Sequence, residues 1–219
     1  MVFMSLNAVG QLKQLIFFSL LCFSTINIAA EKVLVLDKKG KPVANAVVAL
    51  LGHENDSGQN SEHVLEQKKL EFRPYVLAVM AGDQVSFPNK DKVQHHVYSF
   101  SQAKVFEIKL YKDQAQSPIV FEQPGIVVLG CNIHDHMQGY IYVSDSPAYA
   151  VTNKRGIAVL PVTQELVDVE VAAWHPRIEN NLAPEIHRTH LTKGLASVTL
   201  DLVRPKVKKK KSRKYRYKR

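Results

Sequence analysis

After residue 30 no long stretch of this chain repeats its apolar residues at helical period. It carries short apolar runs instead, cut by Gly, Pro and Asn turns, and that pattern predicts an all-β protein. The signals are densest from Val64 to Val143. Phe72 to Val79 reads as a strand, Ala81-Gly82-Asp83 as a turn, and Gln84 to Asn89 as a strand ending at an exposed corner. His95 to Phe100 starts another, and Val105 to Tyr111 alternates apolar and polar. Pro118 to Phe121 and Gly125 to Leu129 flank the turn Glu122-Gln123-Pro124, and Tyr140 to Val143 closes the series. This spacing suits a sandwich of two sheets. Before it, Lys32 to Leu36 and Val43 to Leu51 read as a strand pair around a Gly40/Pro42 turn, followed by a polar loop over 52–63. Asp145-Ser146-Pro147 marks a boundary. Beyond it Tyr149 to Thr152, Ile157 to Leu160, Val167 to Trp174 and Ala196 to Val203 read as further strands.

The chemistry is concentrated between two of these strands, in Gly130-Cys131-Asn132-Ile133-His134-Asp135-His136-Met137. Cys131, His134 and Met137 succeed one another at intervals of three. Thiolate, imidazole and thioether are the donors copper prefers in electron-transfer sites, where two His and one Cys bind with a weak, more distant Met. The loop is one His short. His95 and His96 are the candidates, and because neighbours on a strand point to opposite faces, only one of them can join the site.

The cysteine count agrees. Lys13, the apolar run Leu15 to Phe23 and the small pair Ala29-Ala30 have the pattern of an export signal over residues 1–30. Its removal leaves Cys131 as the one thiol, which cannot form an internal disulfide in an oxidising compartment. Such a thiol is either buried and inert or held as thiolate by a metal. His134 and Met137 favour the metal.

The stretches "AGDQVSFPNKDKVQHHVYSF" and "PGIVVLGCNIHDHMQGYIYV" together resemble the cupredoxins, chiefly plastocyanin and amicyanin. The likeness covers about eighty residues. It implies a Greek-key β-sandwich over 64–145 and one type 1 copper ion held by His95, Cys131, His134 and Met137. His95 falls six residues after Asn89, as the family's first His does, and Asn89 would support the site. Gln94 stands where these proteins commonly have Pro. Electrons would leave through the exposed edge of His134. "HHVYSFS", "GCNIHD" and a later "WHP" are also shared with cupredoxin-like proteins labelled methylamine utilization protein. The flanks, "VLVLDKKGKPVANAVVAL" and "AVTNKRGIAVLPVTQELVDVEVAAWHP", resemble transthyretin-like and carboxypeptidase regulatory-like domains. That likeness implies a second small β-sandwich, built from 31–52 and 147–203 and split by the insertion of the first. The alternative is one enlarged sandwich in which Lys32 to Leu51 pairs with the strands of 64–145.

The formal charge of +9 belongs to a tail. Residues 204–219 hold eleven Lys and Arg and no acid, leaving 18 basic against 20 acidic groups elsewhere. The tail reads as disordered. In an exported protein it suits an acidic redox partner or membrane surface rather than nucleic acid. No nucleophile with a base and no second His-rich cluster is evident, so the sequence predicts a periplasmic single-electron carrier and not an enzyme. Copper capture or delivery, and a structural interaction module, are the alternatives.

Overall fold

The computed structural model describes residues 30–52, 60–112, 117–162, 166–191 and 195–203. Residues 1–29 of the expected export signal over 1–30, His53 and the tail from 204 onward lie outside them. Among the described residues every regular element is a strand. The first described strands are β1 (Ala30–Asp37) and β2 (Val47–Leu50). A middle series follows: β3 (Glu62–Val64), β4 (Glu66–Gln67), β5 (Phe72–Arg73), β6 (Val76–Met80), β7 (Gln84–Ser86), β8 (His95–Ser101), β9 (Lys104–Tyr111), β10 (Ile119–Val120), β11 (Gly125–Gly130) and β12 (Gln138–Ser144). The last series is β13 (Tyr149–Val151), β14 (Ile157–Pro161), β15 (Leu166–Trp174), β16 (Glu185–Leu191) and β17 (Leu195–Leu200).

Among the described residues the middle series pairs only with itself. It forms a five-stranded sheet of order β6-β12-β11-β8-β9, a three-stranded sheet β10-β7-β3, and the hairpin β4-β5. β1 and β2 pair with strands of the last series, in the sheets β14-β1-β17 and β13-β2-β15-β16. They do not form the hairpin predicted from the Gly40/Pro42 turn: beyond the turn only a single bridge joins Leu36 and Pro42. Both strands find their partners later in the chain, and every residue of β2 is buried.

β12 shows how alternation places the two cores. Ile141 and Val143 point into one cluster with Val79, Val97, Phe121, Val127 and Leu129. Tyr140 and Tyr142 point the other way, into a cluster with Val33, Val48, Leu50, Ala172 and Trp174. Successive residues on a strand face opposite sides, so one strand serves both. Trp174 is fully buried, with ring centroids 5.6 Å from Tyr140 and 6.2 Å from Tyr142.

Two further expectations change. The corner at Phe87 to Asn89 is not exposed: Phe87 and Asn89 are buried and Pro88 is half-buried. The β4-β5 hairpin lies along it: Gln67 N–H donates to the Pro88 carbonyl, and Lys90 N–H to the Gln67 carbonyl, at 2.9 and 2.8 Å. In β9 the alternation breaks near its end. His95 pairs with Tyr111 but Val97 with Ile108, so β9 carries one extra residue there. The bulge turns Tyr111 inward and leaves Leu110 half exposed. Bulges re-aim side chains in this way, and this one lies directly opposite His95 and His96.

Candidate metal centre

His95 begins β8 and is fully buried. Cys131 follows the last residue of β11 and is also buried, as a free thiol. The loop from Cys131 to Met137 is a pair of tight turns ahead of β12. Met137 N–H donates to the His134 carbonyl at 2.8 Å, which folds His134 back over Cys131. One ligand atom from each of His95, Cys131 and His134 then lies within 4.8 Å of the other two. His95 Nδ1 is 3.2 Å from His134 Nδ1, and Cys131 Sγ is 3.6 Å from that same nitrogen. Met137 is buried in the same cluster as Cys131.

The neighbours separate as strand geometry requires. His96 points to the opposite face, where Nε2 meets a Glu107 carboxylate oxygen at 2.8 Å. His136 is exposed at the loop, its ring centroid 6.3 Å from that of His134. His134 is partly exposed, and Asn132 and Ile133 beside it are exposed. Gly130 lies against Tyr98: a Cβ there would fall 2.7 Å from the ring, so the strand leading into Cys131 tolerates no side chain without moving that ring.

A polar frame surrounds His95. Its Nε2 meets Asp91 Oδ2 at 2.9 Å. Asp91 also accepts the backbone N–H of Lys69 at 2.7 Å and of Leu70 at 2.9 Å. Desolvation pushes the Asp91 carboxyl upward, but the bonds from Leu70, His95 and Lys69 outweigh it and hold it below the usual carboxylate range. Asn89, expected beside the site, acts one step back. Its Nδ2 donates to the carbonyls of Val93 and Tyr111, and its Oδ1 accepts Asp91 N–H. Tyr111 donates its hydroxyl proton to the Phe87 carbonyl and accepts from Gln67 Nε2. Burial, with a smaller contribution from Cys131 and against the Gln67 bond, pushes the Tyr111 hydroxyl up to about 12. Asp91, Gln67 and Tyr111 carry no motif of their own. The one signal was a carboxylate four residues before a candidate ligand.

Among the described residues the remaining histidines do not gather. His63 pairs with Asp83 at 2.8 Å, His187 with Glu185 and His190 with Asp168 at 3.5 Å each. Among the described residues His95, Cys131 and His134 form the one group of three with metal-ligand spacing.

These donors suit a borderline-soft metal. The thiol is buried with no cysteine to pair with, and two imidazole nitrogens stand within 4.8 Å of it and of each other. Two His and one Cys are the in-plane set of blue-copper sites, and a buried Met completes the list by residue type.

No family model matches the chain, and no curated protein does. Solved structures match part of it. A reduced mutant of amicyanin is 17% identical at a TM-score of 0.36, over 44% of this chain and 98% of its own. A purple cupredoxin from Nitrosopumilus maritimus is 21% identical at 0.31, over 39% of this chain and all of its own. A pseudoazurin from Sinorhizobium is 21% identical at 0.31, over 40% of this chain and 76% of its own.

Proposed function

We propose that the protein is an exported type 1 copper protein that carries single electrons, with His95, Cys131, His134 and Met137 as its ligands. The observation that carries this reading is the convergence of the buried Cys131 sulfur with one nitrogen each of His95 and His134. The thioether at Met137 argues for copper over zinc, which is held by thiolate, imidazole and carboxylate rather than thioether. Copper, when bound, supplies the one-electron couple. The chain's part is to hold the donors still: His95 is fixed by Asp91 and by its place in β8, and Cys131 by β11 and the turns after it. Donors that need not rearrange lower the cost of changing charge. Partly exposed His134, with exposed Ile133 beside it, offers the route to a redox partner protein.

The same reading includes residues 64–145 as a cupredoxin unit inserted into a small sandwich of 31–52 and 147–203. It also includes a basic tail free to meet an acidic partner or membrane surface.

Adding Cu(II) to the purified chain should give an intense thiolate-to-copper band in the visible. Cys131→Ala should abolish it, and His95→Ala should abolish or strongly alter it. A band that survives Cys131→Ala sinks the assignment. A band without a reversible redox couple would favour copper capture over electron transfer.

A further inference from the structure

An imidazole can offer a metal one nitrogen while the other is occupied, and which nitrogen is free decides whether the ring is a ligand at all. His95 Nε2 is taken by Asp91 at 2.9 Å, while Nδ1 faces His134 and Cys131. The carboxylate is held in turn by an unusual turn. Lys69 and Leu70 are the two central residues of the β4-β5 hairpin, which Lys68 N–H closes onto the Glu71 carbonyl at 2.9 Å. Both have positive φ, 59° and 60°. A two-residue turn with both centres at positive φ is normally Asn-Gly or Asp-Gly, because an ordinary L-residue there brings its Cβ close to the following carbonyl oxygen. Here Lys and Leu adopt it, and both of their N–H groups converge on Asp91.

We propose that Asp91, held by the Lys69–Leu70 turn, is a positioning residue that locks His95 with its proton on Nε2 and presents a bare Nδ1 to the metal before the metal arrives. An ionised carboxylate has only acceptors, so the His95 nitrogen facing it must be the N–H. In the neutral ring the proton then cannot sit on Nδ1. The site is prepared by the backbone of another hairpin, sixty residues upstream of the cysteine loop. Groups of this kind orient ligating imidazoles and raise their basicity. The carboxylate also places a negative charge behind the ligand, which favours the more highly charged oxidation state. The inference rests on the copper reading above, but its first half is a property of the metal-free chain.

Long-range nitrogen–proton NMR on the full metal-free chain reads the His95 tautomer directly. The wild type should show Nε2–H alone. Asp91→Ala should show a mixture of tautomers and lose on the order of 10- to 100-fold in Cu(II) affinity. Asp91→Asn keeps the size but has one oxygen and no charge, so it cannot accept both at Oδ1, where Lys69 N–H meets the carboxylate, and at Oδ2, where Leu70 N–H and His95 Nε2 meet it. It should stay folded, weaken Cu(II) binding and raise the reduction potential, and it keeps the test readable if the alanine variant fails to fold. A purely structural role would move only the melting temperature. The proposal is overturned by a wild-type ring carrying its proton on Nδ1, or by an Asn variant whose tautomer, affinity and potential all match the wild type. A chain with the Nε2–H tautomer that binds no copper would instead overturn the copper reading and leave Asp91's hold on His95 standing.

Discussion

The two hydrophobic cores are built from similar residues and differ in what they do with polar ones. Around Trp174 the buried polar groups make local repairs. Thr152 Oγ1 accepts Ala46 N–H and donates to the Val43 carbonyl, and Ser144 donates to the Ser146 carbonyl. Around Cys131 the buried polar groups form a directed frame, in which Gln67, Tyr111, Asn89 and Asp91 lead from the β4-β5 hairpin to one nitrogen of His95. Apolar burial is non-directional and scales with area, so it can hold strands together without fixing any one atom. Hydrogen bonds fix atoms. The first core secures the molecule, and the second fixes how the His95 ring is turned.

The contrast can be broken from the first core. Trp174 is fully buried and packs on Tyr140 and Tyr142, whose strand neighbours Ile141 and Val143 belong to the second core. Trp174→Ala should cost about 3–5 kcal/mol. Circular dichroism in urea should show one transition with a lowered midpoint. Two separated transitions would mean that the cores melt independently despite sharing β12.

The next effect is one of pH. Burial, helped by the Arg177 charge and opposed by a bond with the Ala44 backbone, pulls His175 from 6.5 down to about 4. The folded ring is therefore neutral where the unfolded ring is protonated. Stability is fully present above the unfolded value, falls as pH drops from 6.5 toward 4, and levels off below. The loss is on the order of 3 kcal/mol. The comparison is with His175→Gln: unfolding free energies at pH 7 and pH 4.5 should differ less in the variant.

The smallest effect tests the second core's strain. Replacing Lys69 and Leu70 together by Asn and Gly installs the residues a type I′ turn prefers. The change keeps the backbone N–H groups that reach Asp91. A gain of about 1 kcal/mol is expected, read as a higher urea midpoint at unchanged slope. A lower midpoint would show that the Leu70 side chain contributes more than its backbone loses.

What could be read from the sequence followed chemistry that is local in the chain. Cys131, His134 and Met137 are a spacing, and strand alternation was enough to send His95 and His96 to opposite faces. The strands of the middle series were legible as runs. The misses are non-local. Nothing in Lys69-Leu70 has turn composition, because its conformation is imposed by an acceptor more than twenty residues away. The inward turn of Tyr111 depends on a bulge that only its partner strand defines. β1 and β2 read as a hairpin because their true partners are a hundred or more residues downstream.

That last separation bears on the order in which the molecule can be assembled. All pairings of β3 to β12 lie within residues 62–144. β1 pairs with β14 and β17, and β2 with β13 and β15. A chain made from its N-terminus therefore holds every strand around His95 and Cys131 while β1 and β2 still wait for partners. Since Ala49 pairs with Tyr149, the long middle stretch leaves and rejoins the outer sheets at neighbouring points. Closing such a loop grows costlier only with the logarithm of its length, which is how the first strand synthesised can wait for the last.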